Sequence, residues 1–216
     1  MIQQLTEILK EMKNRYKNRW TKIWAKLEPD YNIIQKTLIK GEIPDKEQLK
    51  QLINLSENIF SSKLSTKQLK NKKLKEFLAK VKNWTSIDGL SKEEIWKVKG
   101  LGASTITHWA TLVNPCLFLP TWEKTMKRTT KILKLPLRFY ASSNHPKQVE
   151  NTLKLLKTIG EKLKIENMLE TAYYLNKLEK TRLAAKHWQK ISHRRQRKPL
   201  VKIKKYQIKR KRRQKW

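Results

Sequence analysis

The chain has 216 residues, with 51 Lys and Arg against 18 Asp and Glu and a formal net charge of +33. Apolar residues make up 38%, enough for a core, and no apolar run approaches the 18 or more residues of a membrane-spanning helix. A single cysteine excludes an intrachain disulfide, a Cys-ligated zinc site and a four-Cys cluster, and no cofactor or metal is expected.

In chain order, Ile2, Leu5, Ile8, Leu9, Met12, Tyr16, Trp20 and Trp24 recur at helical spacing and predict a long first helix, ended at Leu27-Glu28-Pro29-Asp30. A second helix is expected over Tyr31 to Ile39, closed by Gly41. Pro44-Asp45 opens a third, with Asp45 and Gln48 at capping-box spacing. Leu69, Leu74, Phe77, Leu78 and Val81 mark a fourth. Ser91 and Glu94 form another capping-box pair, starting a short helix through Val98. Gly100-Leu101-Gly102 breaks it, and Ala103 to Val113 resumes helical spacing until Asn114-Pro115. Two more amphipathic stretches lie near Lys147–Leu163 and Ile165–Leu178. Strand alternation is confined to Val201-Lys202-Ile203 and Tyr206-Gln207-Ile208. The fold class is all-α, a helical bundle over residues 1–185 followed by a basic arm, 186–216, that orders only on a partner.

The charge names the partner class. The last 31 residues hold 15 Lys and Arg and no acid, yet the remainder still carries +18. A surplus of this size repels itself unless a polyanion screens it, so nucleic acid is the expected partner, with double-stranded DNA first, no membrane, and the chain a monomer. The amino end lacks the basic-then-apolar layout of a secretory signal, and an intracellular location is expected: cytoplasm or nucleoid, or the nucleus of a eukaryote. Arg194, Arg195 and Arg197 in the arm would raise affinity for any duplex without base preference.

The most informative stretch is Val98-Lys99-Gly100-Leu101-Gly102-Ala103-Ser104-Thr105-Ile106. Two helices flank a Gly-x-Gly turn, and glycine at both positions permits positive φ and close approach. The amides opening the second helix then face outward, a site for a backbone phosphate gripped by Lys99 to Thr105. The stretch resembles the helix-hairpin-helix of the DNA glycosylase superfamily, matching it at both glycines, the apolar residue between them and the threonine. Asn114-Pro115, Leu117-Phe118-Leu119-Pro120 and Thr121-Trp122-Glu123-Lys124-Thr125-Met126-Lys127-Arg128 continue the likeness. Its closing helices have counterparts around His145-Pro146 and Leu169-Glu170-Thr171-Ala172.

The resemblance implies an endonuclease III-like fold and excision of a damaged or mispaired base. Glu123 stands at the family's acidic position, one methylene longer than its Asp, as the catalytic carboxylate; as a surface residue it would instead pair with Lys127. Lys127 and Arg128 would hold DNA. Trp122 and Phe118 either wall a base pocket or pack the core. Ser104 replaces the lysine nucleophile of bifunctional members and cannot form a Schiff base, so N-glycosidic hydrolysis without lyase activity is expected. The alternatives are a catalytically inactive nucleic-acid-binding module of the same fold or a component of a ribonucleoprotein. Trp20 and Trp24 read as core, Cys116 as a buried small hydrophobe, and His108 and His145 lack ligand-spaced companions.

Overall fold

The apolar stripe that begins near the amino end runs on past Pro29. In a computed structural model, which describes residues 2–57, 59–60, 63–120 and 145–178, helix α1 spans Ile2–Ile39 with Pro29 inside it. Leu5, Leu9, Met12, Trp20, Ile23, Leu27, Tyr31, Ile34 and Leu38 are buried along its length. The expected break into two helices at Leu27–Asp30 is therefore corrected to one helix. Proline removes an interior hydrogen bond and clashes with the preceding turn, at a cost of about 3 kcal/mol. Burying Tyr31, Ile34 and Leu38 in the same register contributes about 1.5–3 kcal/mol for each large apolar side chain, which outweighs that cost. Pro29 itself lies on the exposed side.

Helix α2, Lys46–Leu55, starts where Asp45 accepts hydrogen bonds from the amides of Glu47 and Gln48, both at 2.9 Å. A 3-10 turn, Thr66–Lys70, leads into α3, Lys72–Val81. Ser65 and Gln68 complete a reciprocal capping box there. The pair expected at Ser91 and Glu94 does not cap a helix. That segment is two 3-10 turns, Leu90–Lys92 and Glu94–Lys97, neither with a side-chain cap. The Ser91 amide is instead committed to Glu150, 2.8 Å away on a distant helix. Helix α4 spans Ala103–Val113, α5 spans Pro146–Lys162, and a last helix, α6, covers 168–178.

The described residues are helical with no strand, so the chain is all-α in them. Their apolar side chains join one core cluster drawn from all six helices and the turns between them. An aromatic seam runs through it. Trp20 and Trp24 stack with centroids 5.6 Å apart, Trp24 meets Tyr31 at 5.4 Å, and Trp20 meets Tyr173 at 5.3 Å. Cys116 is exposed rather than buried as expected, because it sits in the turn after α4 while Leu117, Phe118 and Leu119 enter the core. No helix among the described residues is long and apolar enough to cross a membrane. The chain divides into Met1–Glu179 and Lys180–Trp216. The arm expected at 186–216 lies outside the described residues.

Pro29→Ala restores an interior amide at an exposed helical position and is expected to stabilise the fold by about 1–3 kcal/mol. The check is the midpoint of urea unfolding, read with helicity by circular dichroism. A lower midpoint would mean that Pro29 itself shapes the path of α1.

Candidate nucleic-acid interface

The Gly-x-Gly stretch folds as a tight turn between the Glu94–Lys97 3-10 turn and α4. The Leu101 amide donates to the Val98 carbonyl at 3.2 Å, closing a four-residue turn with Gly100 in its third position at φ +86. That left-handed value at the third position is the type II requirement, which glycine meets without strain. Gly102 differs. It is extended, at φ −79 and ψ 161, so its value lies in lacking a side chain rather than in positive φ. Open space surrounds both positions, with nothing within 4 Å of an added Cβ. Leu101 and Ala103 are buried and pin the turn, while Lys99, Gly100 and Gly102 are exposed and Ser104 and Thr105 half-buried.

Helix α4 is deeply enclosed, with every residue from Ile106 to Val113 buried. Its two ends are treated oppositely. Each of the last four carbonyls has a partner. The Asn114 amide donates to Ala110 at 2.8 Å, and the Tyr31 hydroxyl donates to Thr111 and Leu112 at 2.9 and 3.3 Å. Gln35 donates to Val113 at 3.1 Å. Asn114 in turn donates from its side chain to the Val81 and Trp84 carbonyls, tying the end of α3 to the end of α4. At the amino end the first intrahelical bond runs from the Ile106 amide to the Gly102 carbonyl. Gly102 offers no cap, and the first turn holds no acidic residue. The opening amides, with the positive end of the helix dipole, face outward beside Lys99.

Two contacts hold the approach to this turn. The Trp96 indole donates to the Leu90 carbonyl at 2.6 Å, closing the two 3-10 turns on each other. Glu150 on α5, 1% exposed, accepts from the Ser91 amide at 2.8 Å, from Lys147 at 2.8 Å and from Lys154 at 3.0 Å. Lys154 also pairs with Asp88. Burial pushes the Glu150 carboxyl up, but hydrogen bonds from Lys147, the Ser91 backbone and hydroxyl, and Lys154 outweigh it and hold the group at about 2, below its ordinary 4.5.

Ser104 has a neighbour that an i, i+4 reading of α4 would have flagged. Its hydroxyl lies 3.3 Å from Nδ1 of His108, one turn on. The same Nδ1 contacts the Ser104 carbonyl, an acceptor, so this nitrogen carries the proton and donates it. It cannot also take a proton from the hydroxyl, and Ser104 gains no general base. Burial lowers the His108 pKa to about 4, with backbone contacts to Ser104 and Ile59 offsetting part of the effect, so the ring is neutral. Phe118 is 0% exposed, its ring 6.1 Å from Trp84, and it belongs to the core. Glu123, Trp122, Lys127, Arg128, Arg194, Arg195 and Arg197 lie outside the described residues. Among the described residues no group of three or more His, Cys, Asp or Glu could hold a metal ion.

No family model matches the chain, and no curated protein or solved structure matches it.

The Glu150 tie has a pH signature. Its folded pKa is depressed, so the unfolded chain takes up this proton first as pH falls. The stabilisation, about 3 kcal/mol for a shift of this size, is full above about pH 4.5 and is lost toward pH 2. Glu150→Gln is therefore expected to lower stability at pH 7 by about that amount, with the gap to the wild type narrowing below pH 4.5. Denaturant unfolding of both proteins across pH 2–7 measures it. A constant gap would assign the loss to packing instead.

Proposed function

We propose that the chain binds double-stranded DNA through the Lys99–Thr105 hairpin and hydrolyses the N-glycosidic bond of a damaged or mispaired base without cutting the strand. The observation that carries the binding half is the amino end of α4, uncapped, free of acids and presented on a glycine turn beside Lys99 in a strongly basic chain. A backbone phosphate fits such an end, because it accepts hydrogen bonds from the opening amides and its charge faces the positive end of the helix dipole. Exposed Gly100 and Gly102 let a sugar–phosphate chain approach without meeting a side chain.

The catalytic half rests on the likeness of the hairpin and the following segment to the helix-hairpin-helix glycosylases. In this reading the target nucleotide leaves the stack. Glu123 takes a proton from a water molecule, the water oxygen bonds to the sugar C1′, and the C1′–N bond breaks with its electron pair leaving on the base, which takes up a proton from solvent while Glu123 releases its own. The products are a free base and an abasic site. The carboxylate also stabilises positive charge developing on the sugar. Ser104, without a base to activate it, is no competitor for that water.

Two variants test the halves separately. Gly102→Asp places a helix-capping side chain on backbone that is already extended, so the fold should hold or gain a few tenths of a kcal/mol. The new carboxylate would occupy the amides and repel phosphate, and the dissociation constant for duplex DNA at 0.1 M salt is expected to rise tenfold or more. Unchanged affinity would remove the hairpin as the grip. For catalysis, labelled duplexes containing uracil, mispaired thymine or adenine, 8-oxoguanine and alkylated purines are incubated with the protein and split for hot-alkali treatment. Alkali-dependent cleavage of one substrate, lost in Glu123→Gln with binding kept, is the expected result. No excision from any substrate, or a tenfold preference for folded RNA, would overturn the glycosylase assignment.

A further inference from the structure

We propose that the α3 face carrying Lys73 and Lys80, together with Lys97, is a second backbone-contact surface that grips phosphates of the same duplex as the hairpin. The inference rests on reading the hairpin as a DNA grip, and it adds the residues that would extend the contact along the strand.

Helix α3 turns Leu74, Phe77, Leu78 and Val81 into the core, so Lys73, Glu76 and Lys80 lie together on its outer side at i, i+3 and i+7. The helix packs on the Glu94–Lys97 turn that leads into the hairpin. Lys80 Nζ is 3.2 Å from a Glu93 carboxylate oxygen, and Lys97 Nζ is 2.8 Å from Glu94. The Glu94 carboxyl is held below its ordinary range first by Lys97 and then by the more distant charges of Lys73 and Lys80. Lysines from two separate elements thus converge on one spot, immediately before Lys99 and the glycine turn.

The spacing suits a sugar–phosphate chain. Seven residues of α-helix separate Lys73 from Lys80 by about 10 Å, the axial rise of about three phosphates on one strand. The carboxylates now facing these lysines are weak competitors. Exposed pairs of this kind contribute about 0–1 kcal/mol, so phosphate oxygens can replace Glu93 and Glu94 at little cost. Glu76, within the face, is drawn aside by Lys72 at 3.8 Å. An acidic protein would also be attracted here, but the hairpin alongside provides phosphate-fitting amides that a carboxylate surface would not need.

The test is the dependence of log Kd on log[KCl] for the full chain and an undamaged 20-base-pair duplex. Lys73→Ala/Lys80→Ala is compared with Lys10→Ala/Lys17→Ala, which removes equal charge from exposed positions of α1. Those two lie roughly 33–44 Å along the helix from Ile39, whose carbonyl accepts from Lys82 at the end of α3. Gly102→Asp serves as the hairpin reference, and all variants are required to keep wild-type circular dichroism. Loss of two phosphate contacts is expected to reduce the slope by about 1.8 for the α3 variant, with no change for the α1 pair. An unchanged slope in the α3 variant, with Gly102→Asp weakening binding, overturns the proposal and leaves the hairpin reading standing. An equal reduction in the α1 pair overturns it as well, since the effect would then be one of total charge. A reduced slope in the α3 variant while Gly102→Asp binds normally overturns the hairpin reading and with it the shared grip, leaving the α3 lysines as a phosphate contact on their own.

Discussion

A helix buried along nearly its whole length must find partners for its own ends, and α4 imposes that demand on everything around it. Water cannot serve the carbonyls of Ala110 to Val113, and leaving any one unpaired would cost about 1–3 kcal/mol. The rest of the domain supplies the partners. Tyr31 and Gln35 reach in from α1, and Asn114 closes the chain back on α3. These contacts explain why α1 continues as a helix through Pro29. Tyr31 and Gln35 sit beyond the proline, and only a continuous helix delivers both to the carboxyl end of α4. With that end closed, the unsatisfied polarity of α4 is concentrated at its amino end, on the glycine turn.

Carboxylates are scarce here, 18 against 51 cationic side chains, and several act as internal ties. Glu150 fastens the turn before the hairpin to α5. Glu57 accepts from Arg19 at 2.9 Å and Lys177 at 2.5 Å, joining α1, the end of α2 and α6. It holds φ +47, a value side chains seldom adopt, and Asn176 donates to its carbonyl at 3.2 Å. Lys13 reaches the Leu163 and Lys164 carbonyls and closes the end of α5 from α1. Charge spent inside in this way leaves few acids for the surface, where Lys72, Lys80 and Lys97 face only Glu76, Glu93 and Glu94.

These two features lead to one arrangement. Packing decides which helix end stays open, and the distribution of the few acids decides that its surroundings are cationic. The long α1 helix links the two through the aromatic seam of Trp20, Trp24 and Tyr31, continued by Tyr173 and Tyr174 with centroids 5.7 Å apart. The hairpin is therefore carried on a helix whose remaining turns are enclosed in the core.

The sequence by itself determined the all-α class, the helical stripes from α1 to α6, the Asp45 cap, the stop at Asn114 and the location of the glycine turn. Each is a local property, written in apolar periodicity or in one residue's backbone preference. Tertiary structure alone decided the rest. Pro29 reads locally as a stop, and only the burial of Tyr31, Ile34 and Leu38 overrides it. Ser91 and Glu94 have capping-box spacing, yet the Ser91 amide goes to Glu150, 59 residues away. Cys116 has apolar neighbours in sequence but faces solvent in space. Nor could spacing reveal that Lys80 meets Glu93, or that Tyr31 closes a helix 80 residues further on. Such pairings depend on which elements pack together, and a residue's own neighbours along the chain carry no record of that.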